Sequence, residues 1–313
     1  MEVGTLVKVD VQNGVDVMGM FVGELDGRDW FWSQDLQAAY WRVPDIREAI
    51  AAPPGYVILS ADYSQIEVKL MAFLSQDPVL IAAINSGKDI HSFNAAEVFG
   101  ARMGFTYEDL EGPNAKYGPR YKELKEIRTR IKTVTFGVPY GAGASRVALM
   151  TGMTKEQAQE FIDAFFDKFH VLRDWLESQG NLALNFGYTA TPEGRKRFYV
   201  MPSKDDPDYD GMIKQIRRWA GNHPIQASNA DILKLAIREI YLRVRGGIAT
   251  AKKLYDARIS LVVHDEIVMV CLKEHADAVT KIMVEAMQWA YEQVITGVRN
   301  KIDVACEETW EKV

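Results

Sequence analysis

The stretch that decides the fold is Tyr56-Val57-Ile58-Leu59-Ser60-Ala61-Asp62-Tyr63-Ser64-Gln65-Ile66-Glu67, an apolar run that ends in a carboxylate. A second apolar stretch carries Asp265 and runs Ile259-Ser260-Leu261-Val262-Val263-His264-Asp265-Glu266-Ile267-Val268-Met269-Val270. Short apolar runs of this kind predict strands. A carboxylate at the end of a hydrophobic strand is costly to desolvate unless a cation or a basic partner compensates it. If Asp62 and Asp265 meet, they form a site for divalent metal ions.

Bulk composition indicates a folded, water-soluble protein. The chain has 313 residues, of which 48% are hydrophobic and 26% charged, and its formal net charge is −6. No apolar run is long enough to span a bilayer, and the N-terminus lacks the pattern of a signal peptide. The two cysteines, Cys271 and Cys306, have no metal-ligand spacing, which favours a reduced, cytoplasmic protein.

The first half of the chain reads as strands followed by helices. Residues 1–24 alternate around Asn13-Gly14, a signal for a β-hairpin. After the first acidic strand, one helix face carries Ile66, Leu70, Phe73 and Leu74, and residues 76–205 look mostly helical. Thr154 and Gln157 form a capping-box pattern that opens one long helix. Its apolar stripe, more typical of a core than of a ligand site, is Phe161, Phe165, Phe169, Leu172 and Leu176.

The second half returns to strands. A polar loop at 203–211 precedes a helix from about residue 212 to 245, then the second acidic hairpin, then a helix from about 274 to 295. This order predicts an α+β fold in which a helical insertion interrupts a sheet domain.

A basic segment lies between the two acidic strands. Residues 116–132 carry seven Lys or Arg against two Glu, which alone is more typical of a solvated helix face. Within it, residues four apart form a stripe along one helix: Arg128, Lys132, Phe136 and Tyr140. Cations at one end and aromatic rings at the other suit a nucleotide, although an ordinary amphipathic helix has the same spacing.

Taken in order, these segments resemble the motifs of family-A DNA polymerases, the group of bacterial DNA polymerase I and related phage enzymes. Asp62-Tyr63-Ser64-Gln65-Ile66-Glu67 resembles the first catalytic motif, and His264-Asp265-Glu266 the third. The second is Arg128-x-x-x-Lys132-x-x-x-Phe136-Gly137-x-x-Tyr140-Gly141. Smaller similar segments are Asp89-Ile90-His91, Ala95-Ala96-Glu97-Val98-Phe99-Gly100, Arg218-x-x-x-Asn222-x-Pro224-x-Gln226, and Gly27-Arg28 with Leu36-Gln37.

The resemblance, which spans about residue 27 to the C-terminus, implies an architecture and an activity. The palm, an antiparallel sheet with helices, would comprise residues 1–75, with the N-terminal hairpin, and 206–313, and the helical fingers would comprise residues 76–205. The implied reaction is template-directed addition of deoxynucleotides to a primer 3′-hydroxyl by two-metal phosphoryl transfer. The implied partners are primer–template DNA and dNTPs, in the cytoplasm of a bacterium or a phage-infected host.

The same resemblance assigns catalytic roles. Asp62 and Asp265 would bind two Mg²⁺ ions, for which Mn²⁺ is an alternative, and the Tyr63 carbonyl would complete the shell of one ion. Glu266, beside them, would tune the metals or serve the structure. Lys132 would also protonate the leaving group as a general acid. The remaining nucleotide contacts would come from Gln65, His91 and Arg128.

Substrate choice would depend on Glu67 and Phe136. A carboxylate under the sugar leaves no room for a 2′-hydroxyl, and a phenylalanine brings no phenolic oxygen near the 3′ position, so dideoxynucleotides would be discriminated against. Tyr140 would close on the templating base pair. Contacts to primer–template would come from Arg28, Gln37, Arg218, Asn222, Gln226 and His264.

The sequence also departs from the family pattern. Position 69 is lysine where arginine is usual, and position 135 is threonine rather than asparagine. Pro139 falls inside the predicted fingers helix and should kink it. The segment Ala38-Ala39-Tyr40-Trp41 lacks the usual Asn-Ile-Pro.

No segment resembles the family's thumb or its exonuclease domain. We therefore expect weak duplex binding by this chain alone, and a separate chain that supplies the thumb or proofreading, as in a split polymerase. The hairpin at residues 1–24 is a candidate contact with that chain.

Three rival functions stay open at this point. One is another template-directed enzyme of the same fold, either an RNA polymerase, which Glu67 disfavours, or a reverse transcriptase, which a comparison of DNA and RNA templates would distinguish. Another is a non-catalytic DNA-binding subunit, which has no need of Asp62, Asp265 and Lys132 together. The third is an unrelated metal phosphohydrolase, which would not explain Phe136 and Tyr140.

Overall fold

The computed structural model describes residue 47 and residues 49–113, 115–246 and 254–310, apart from the side chain of Phe136. Nearer the N-terminus it describes the backbone of four strands, which lie within residues 6–41. The side chain of Arg28 and all of Gln37, both predicted DNA contacts, lie outside the described part of the chain.

The N-terminal strands form an antiparallel sheet of their own, in the order β1-β2-β3-β4. Leu6 pairs with Met20 and Val11 with Val15, so the predicted hairpin is confirmed. The bounds are β1 Leu6–Val11, β2 Val15–Leu25, β3 Arg28–Ser33 and β4 Ala38–Trp41.

A second antiparallel sheet contains both acidic stretches, in the strand order β10-β5-β9-β8. Its strands are β5 Tyr56–Tyr63, β8 Ala257–Val263, β9 Glu266–Leu272 and β10 Ile302–Glu307. β5 is buried on both faces: Val57 and Leu59 face the main core, whereas Ile58 packs with Val268 and Trp310. Burial on both sides explains why β5 reads as a continuous apolar run rather than an alternating one.

The segment between β5 and β8 is mainly helical, as predicted. Its helices are α1 Ile66–Ser75, α2 Pro78–Asn85, α3 Ile90–Ala95, α4 Ala101–Met103, α5 Glu108–Glu111, α6 Tyr121–Gly137, α7 Ala144–Thr151, α8 Lys155–Lys168, α9 His170–Phe186 and α10 Tyr209–Arg245. A π-helical turn, Ala96–Gly100, joins α3 to α4, and a short hairpin of β6 Tyr188–Ala190 and β7 Lys196–Phe198 follows α9.

Two long helices support the central sheet. α10 packs against α11 Ala276–Val294, which in turn packs against β5. Tyr63 at the end of β5 is fully buried, and its hydroxyl donates a hydrogen bond of 2.7 Å to the carbonyl oxygen of Met287 on α11. Contact with α11 therefore fixes the end of β5 that carries Asp62.

The prediction of one long helix after Thr154 is wrong, although its capping box and its buried stripe are confirmed. The chain breaks at Phe169, where φ is −105° and ψ is 51°, so α8 and α9 are separate. Asp77 explains the restart, because its carboxylate accepts a hydrogen bond of 3.1 Å from the Leu172 amide while it also caps α2. Such a cap removes the cost of unpaired amides at a new helix start.

The prediction that Pro139 kinks the fingers helix is also wrong. α6 ends at Gly137, and Val138 to Tyr140 form a turn that leads to Gly141 at φ +83°. Proline has no amide hydrogen to donate and disfavours a helical conformation in the residue before it, so the helix stops instead of bending. Tyr140 thus lies beyond the helix whose stripe it was predicted to continue.

In the part of the chain that is described, no helix is both long and apolar enough to cross a bilayer. The domain boundaries at residues 75 and 205 stay a prediction.

Candidate active site

The central sheet brings the two predicted metal-binding carboxylates to one edge. Asp62 is the penultimate residue of β5, and its Cα pairs with that of Glu266, the first residue of β9. Asp265 occupies the two-residue turn that precedes Glu266. The Tyr63 amide donates a hydrogen bond of 3.4 Å to the Asp265 carbonyl oxygen. Asp62 and Asp265 therefore stand beside each other at the ends of adjacent strands.

The turn itself is under conformational constraint. His264, its other residue, is exposed and adopts φ +55°, which few side chains other than those of Asn, Asp and His tolerate. The histidine allows the hairpin to reverse in two residues, which is what places Asp265 directly beside the end of β5.

The electrostatics at this edge favour the binding of a cation. Burial raises the pKa of Asp62 to about 6, and the charges of Asp265, Glu266 and Asp303 act in the same direction. Burial also raises the pKa of Asp265, to which the charges of Glu67 and Glu266 add. One Asp62 oxygen, Oδ1, is buried with no hydrogen-bond partner. Clustered carboxylates of this kind are stable as anions only when a positive charge joins them.

The donor set fits a hard divalent cation such as Mg²⁺. Carboxylate and carbonyl oxygens are its preferred ligands, and it commonly keeps only one or two protein carboxylates beside water and substrate phosphates. Among the described residues no group of three or more His, Cys, Asp or Glu side chains has the arrangement of an all-protein metal cage. The pair Asp62 and Asp265 suits the former kind of site.

Glu266 is engaged in protein contacts. It is 4% exposed and accepts hydrogen bonds from the Ser60 hydroxyl and, at 2.7 Å, from the Trp310 indole nitrogen. Its other oxygen pairs with Arg47 at 3.0 Å, and the Arg47 guanidinium lies 4.3 Å from the centre of the Trp310 ring. These contacts tie β9 to β5 and to the C-terminal segment, and they favour the structural role for Glu266 over direct metal binding.

The predicted phosphate-binding cations lie on α6. Arg128 forms a fork-like pair with Asp89, at 3.1 Å and 2.9 Å, and its Nε also donates to the Ser92 hydroxyl at 2.9 Å. Lys132, one turn further along, is exposed and makes no ion pair within 4 Å among the residues described. Arg128 is therefore held in a fixed orientation, whereas Lys132 keeps its charge available.

His91 lies in the core beside this pair of cations. It is 3% exposed, and burial lowers its pKa to about 4 while nearby Arg128 and Lys132 act in the same direction and Asp89 acts against them. The imidazole is therefore neutral at pH 7.

A hydrogen-bonded trio joins the turn after α6 to α1 and α10. The Tyr140 hydroxyl donates to one Glu67 oxygen at 2.5 Å, and the Gln226 amide nitrogen donates to the other, also at 2.5 Å. The same amide lies 3.5 Å from the Tyr140 hydroxyl. Burial and the bond to Glu67 raise the pKa of Tyr140 above its ordinary range. Glu67 lies in the first turn of α1, five residues after Asp62, and its charge adds to the raised pKa of Asp265, so the trio lies beside the carboxylate pair.

The other predicted DNA contacts share one face of α10, four residues apart. Arg218 is exposed, and its stem passes so close to Gly141 that a Cβ there would lie 2.3 Å from its Cγ and Cδ atoms. Asn222, between Arg218 and Gln226, has a buried side-chain oxygen with no hydrogen-bond partner. Arg218 is therefore accessible on this face, whereas the Asn222 oxygen is enclosed.

Two further residues of the first motif, Tyr63 and Gln65, were predicted to contact a metal ion and the nucleotide. The Tyr63 side chain is buried in the core, which leaves its carbonyl as the atom for a metal. Gln65 is exposed at φ +54° immediately before α1.

The sequence reasoning missed three residues of this site. Asp303 on β10 pairs with Asp62 through its Cα, and Arg47 and Trp310 hold Glu266. All three reach the site through strand pairing or packing between the two ends of the chain, for which no local pattern exists.

Comparison with known proteins agrees with this geometry. The sequence model of the family described as DNA polymerase family A matches residues 36–312. The thermostable DNA polymerase I of Thermus aquaticus is 32% identical over 269 residues, which are 85% of this chain and 28% of that protein. The DNA polymerase I of Mycobacterium tuberculosis (strain ATCC 25618 / H37Rv) is 33% identical over 251 residues, 79% of this chain and 24% of that protein.

A solved structure shows the same architecture. It is the POL domain of Pol1 from M. smegmatis in complex with DNA primer-template and dNTP, with a TM-score of 0.70 and 29% sequence identity. The match covers 97% of this chain and 49% of that one. The chain thus spans about a quarter of the length of the curated relatives, 24–28%.

Proposed function

The chain belongs to DNA polymerase family A, and from that premise we propose that it adds deoxynucleotides to the 3′-hydroxyl of a primer paired to a DNA template. The observation that carries the proposal is the placement of Asp62 and Asp265 at adjacent strand ends, beside the trio of Glu67, Tyr140 and Gln226. The M. smegmatis domain, which this fold resembles, binds primer-template DNA and dNTP.

The carboxylate edge would hold the metals. Asp62, the Tyr63 carbonyl and Asp265 are the ligands for two Mg²⁺ ions, or Mn²⁺, which when bound supply an activated 3′-hydroxyl and neutralise phosphate charge. The unbonded Oδ1 of Asp62 supports this assignment.

The α6 cations would bind the triphosphate. Arg128 offers it the guanidinium nitrogen Nη1, which Asp89 and Ser92 do not contact, in an orientation which that pairing fixes. The neutral His91 donates a ring N–H to a phosphate oxygen. Lys132, exposed and without an ion pair among the described residues, contacts the same phosphates and gives its proton to the departing pyrophosphate oxygen.

Primer extension tests this proposal directly. We expect the chain to extend a labelled primer on a DNA template with dNTPs and Mg²⁺ and to stop when EDTA is added. An RNA template of the same sequence, run in parallel, distinguishes a DNA polymerase from a reverse transcriptase. No extension by the folded chain under any of these conditions would contradict the proposal.

A separate chain that supplies further duplex contacts stays a prediction. A partner that co-purifies with this chain and lengthens its products per encounter with DNA would support it.

Replacing Glu67 should relax the choice of sugar. Glu67 is fixed by two hydrogen bonds, so its carboxylate cannot swing away from an added 2′-hydroxyl. We expect Glu67→Ala to raise ribonucleotide use relative to deoxynucleotide use by about 10–200-fold, the range for one steric group in a pocket. The measurement is the ratio of kcat/KM for dATP and ATP.

Two matched variants isolate the steric effect of Glu67. Glu67→Gln keeps the volume and should keep the discrimination. Tyr140→Phe removes one hydrogen bond to Glu67 but leaves the carboxylate, and it should keep most of the discrimination. An unchanged ratio in Glu67→Ala would rule out the steric role.

Phe136 predicts strong discrimination against dideoxynucleotides. We expect Phe136→Tyr to raise dideoxynucleotide use relative to deoxynucleotide use by about tenfold or more, the effect of one added hydrogen bond to a charged group. Phe136→Leu, which adds no hydroxyl, is the control. Side-by-side incorporation of both substrates measures the effect, and equal use by the native chain would refute the prediction.

A further inference from the structure

A polar cavity of about 360 Å³ lies behind the turn that joins β5 to α1. Ser64 and Gln65 form one wall, and these two residues stand between Asp62 and Ile66–Glu67 in the sequence. The opposite walls come from the loop between α2 and α3 and from residues 299–301, before β10. The Ser64 amide donates a hydrogen bond of 3.2 Å to the Lys301 carbonyl, so the cavity wall and the catalytic strand are one connected structure.

The cavity is strongly basic. Its described lining includes a single acid, Asp89, which is already paired with Arg128 outside the cavity. Its cations are Lys69, Lys88, Arg299 and Lys301. Only Lys301 has a carboxylate partner among the described residues, Asp303 at 2.5 Å.

Lys69 is the least expected of these cations. It is 6% exposed, its ammonium donates a hydrogen bond of 2.9 Å to the Asn300 side-chain oxygen, and it lies 5.9 Å from the centre of the Tyr291 ring. No carboxylate of the described residues comes within 4 Å of it. Burial lowers the pKa of Lys69 to about 8. The charges of Asp303, Asp62 and Asp265 act against this shift from more than 4 Å away, and an anion in direct contact would favour the buried ammonium further.

Three further cations line the same cavity, of which the Lys88 ammonium also lies 4.7 Å from the centre of the Tyr107 ring. Lys88 and Arg299 are exposed at the cavity mouth and form no ion pair within 4 Å in the described part of the chain. The Arg299 guanidinium crosses Gly87, where an added Cβ would lie 3.0 Å from one of its nitrogens and where φ is +71°. Glycine thus lets Arg299 lie over the loop that carries Lys88. Several convergent cations provide the charge-assisted hydrogen bonds that phosphate oxygens accept.

We propose that this cavity binds a polyphosphate anion, inorganic pyrophosphate, at a site separate from the α6 cations. The proposal rests on the proposed function, because pyrophosphate is the product that polymerisation releases. None of the described lining residues is aromatic, so a nucleobase has no ring to stack on, whereas the four cations match a compact, multiply charged anion. The site would hold product behind the wall that borders Asp62.

Equilibrium dialysis of radiolabelled pyrophosphate against the full chain tests the proposal. The protein is used without DNA or nucleotide and in EDTA, so that cation-dependent binding at Asp62 and Asp265 is removed. We expect Arg299→Ala and Lys88→Ala each to weaken pyrophosphate binding by about tenfold, the loss of one charge-assisted contact. Both residues are exposed, so neither substitution removes core packing.

Lys281→Ala is the matched control, because it removes an exposed lysine of α11 that contacts no part of the cavity. Pyrophosphate affinity that is unchanged in Lys281→Ala and weakened in Arg299→Ala and Lys88→Ala supports the proposal. Affinity that falls in Lys132→Ala but not in Arg299→Ala or Lys88→Ala would overturn it, as would no measurable binding to the native chain.

Binding measurements with two further ligands, orthophosphate and a dNTP, identify which anion the cavity prefers. Orthophosphate should bind more weakly than pyrophosphate, and equal affinity would overturn the polyphosphate assignment. A dNTP whose affinity falls in Arg299→Ala as much as that of pyrophosphate would reassign the cavity to a nucleotide triphosphate tail. A native chain that binds pyrophosphate but extends no primer would contradict the proposed function without contradicting the pyrophosphate site.

Discussion

Asp265→Ala is expected to reduce primer extension by at least about 10³-fold while the protein stays folded. Asp265 and Asp62 stand at adjacent strand ends, and removal of one carboxylate halves the charge that would hold the metal ions. Metal ions supply several kcal/mol of charge stabilisation in phosphoryl transfer, which corresponds to a loss of this size. Single-turnover primer extension in Mg²⁺ is the measurement.

The Asp265→Ala substitution should lower activity without lowering the thermal stability of the protein. The folded protein raises the pKa of Asp265 and of Asp62, so the folded state binds their protons more tightly than the unfolded state. Such groups stabilise the fold at a pH below their pKa in the unfolded state, and this contribution is lost as the pH rises through their pKa in the folded state. At neutral pH the ionised pair is therefore destabilising. We therefore expect Asp265→Ala to have a Tm equal to or above that of the native chain.

Two variants decide whether the charge of Asp265 is what matters. Asp265→Asn keeps the shape without the charge and should be as inactive as Asp265→Ala. Asp277→Ala removes an exposed carboxylate from the first turn of α11 and should be fully active. An Asp265→Ala protein that retains even a tenth of native activity would show that this carboxylate is not a metal ligand.

The acidic strands could be predicted from the sequence because their signal is local. Each is a short apolar run with a carboxylate at one end, and the order of three motifs along the chain identifies the family. The hairpin turn at His264 and Asp265 and the antiparallel sheet follow from the same runs. The two sheets and the long helix α10 likewise agree with the predicted α+β fold.

The parts that could not be predicted depend on contacts between distant segments. Asp77 caps α9 through the amide of Leu172, 95 residues further along, and periodicity cannot reveal the helix break that this contact permits. The partners of Glu266 come from Arg47 and Trp310, near opposite ends of the described chain. Helix periodicity also extended α6 through Pro139, where the lack of an amide hydrogen ends it.

Tyr140 does not continue the predicted helical stripe on α6, and its hydrogen bonds indicate a different structural role. A tyrosine on the same helix as Lys132 would move rigidly with it. A tyrosine in the turn beyond Gly137, bonded to Glu67 and within 3.5 Å of the Gln226 amide, instead connects the end of α6 to α1 and α10. The residue predicted to meet the templating base is thus hydrogen-bonded to the residue predicted to select the sugar. Under the proposed function, base-pair fit and sugar choice would share one hydrogen-bond network.

Lys132→Ala is expected to lower kcat by about 10²–10⁴-fold, the contribution of a positioned general acid. Lys132 is exposed and forms no ion pair among the described residues, so the loss reflects chemistry and not stability, and Tm should be unchanged. Lys132→Arg separates its two roles, because guanidinium keeps the positive charge but does not release a proton at neutral pH. That variant should keep a KM for dNTP near the native value and still lose most of kcat.

The control is Lys122→Ala, which removes another exposed lysine of the same helix and should leave both kcat and KM unchanged. A Lys132→Arg protein with native kcat would show that the residue acts as a charge alone, and a Lys132→Ala protein altered only in KM would remove it from the chemical step.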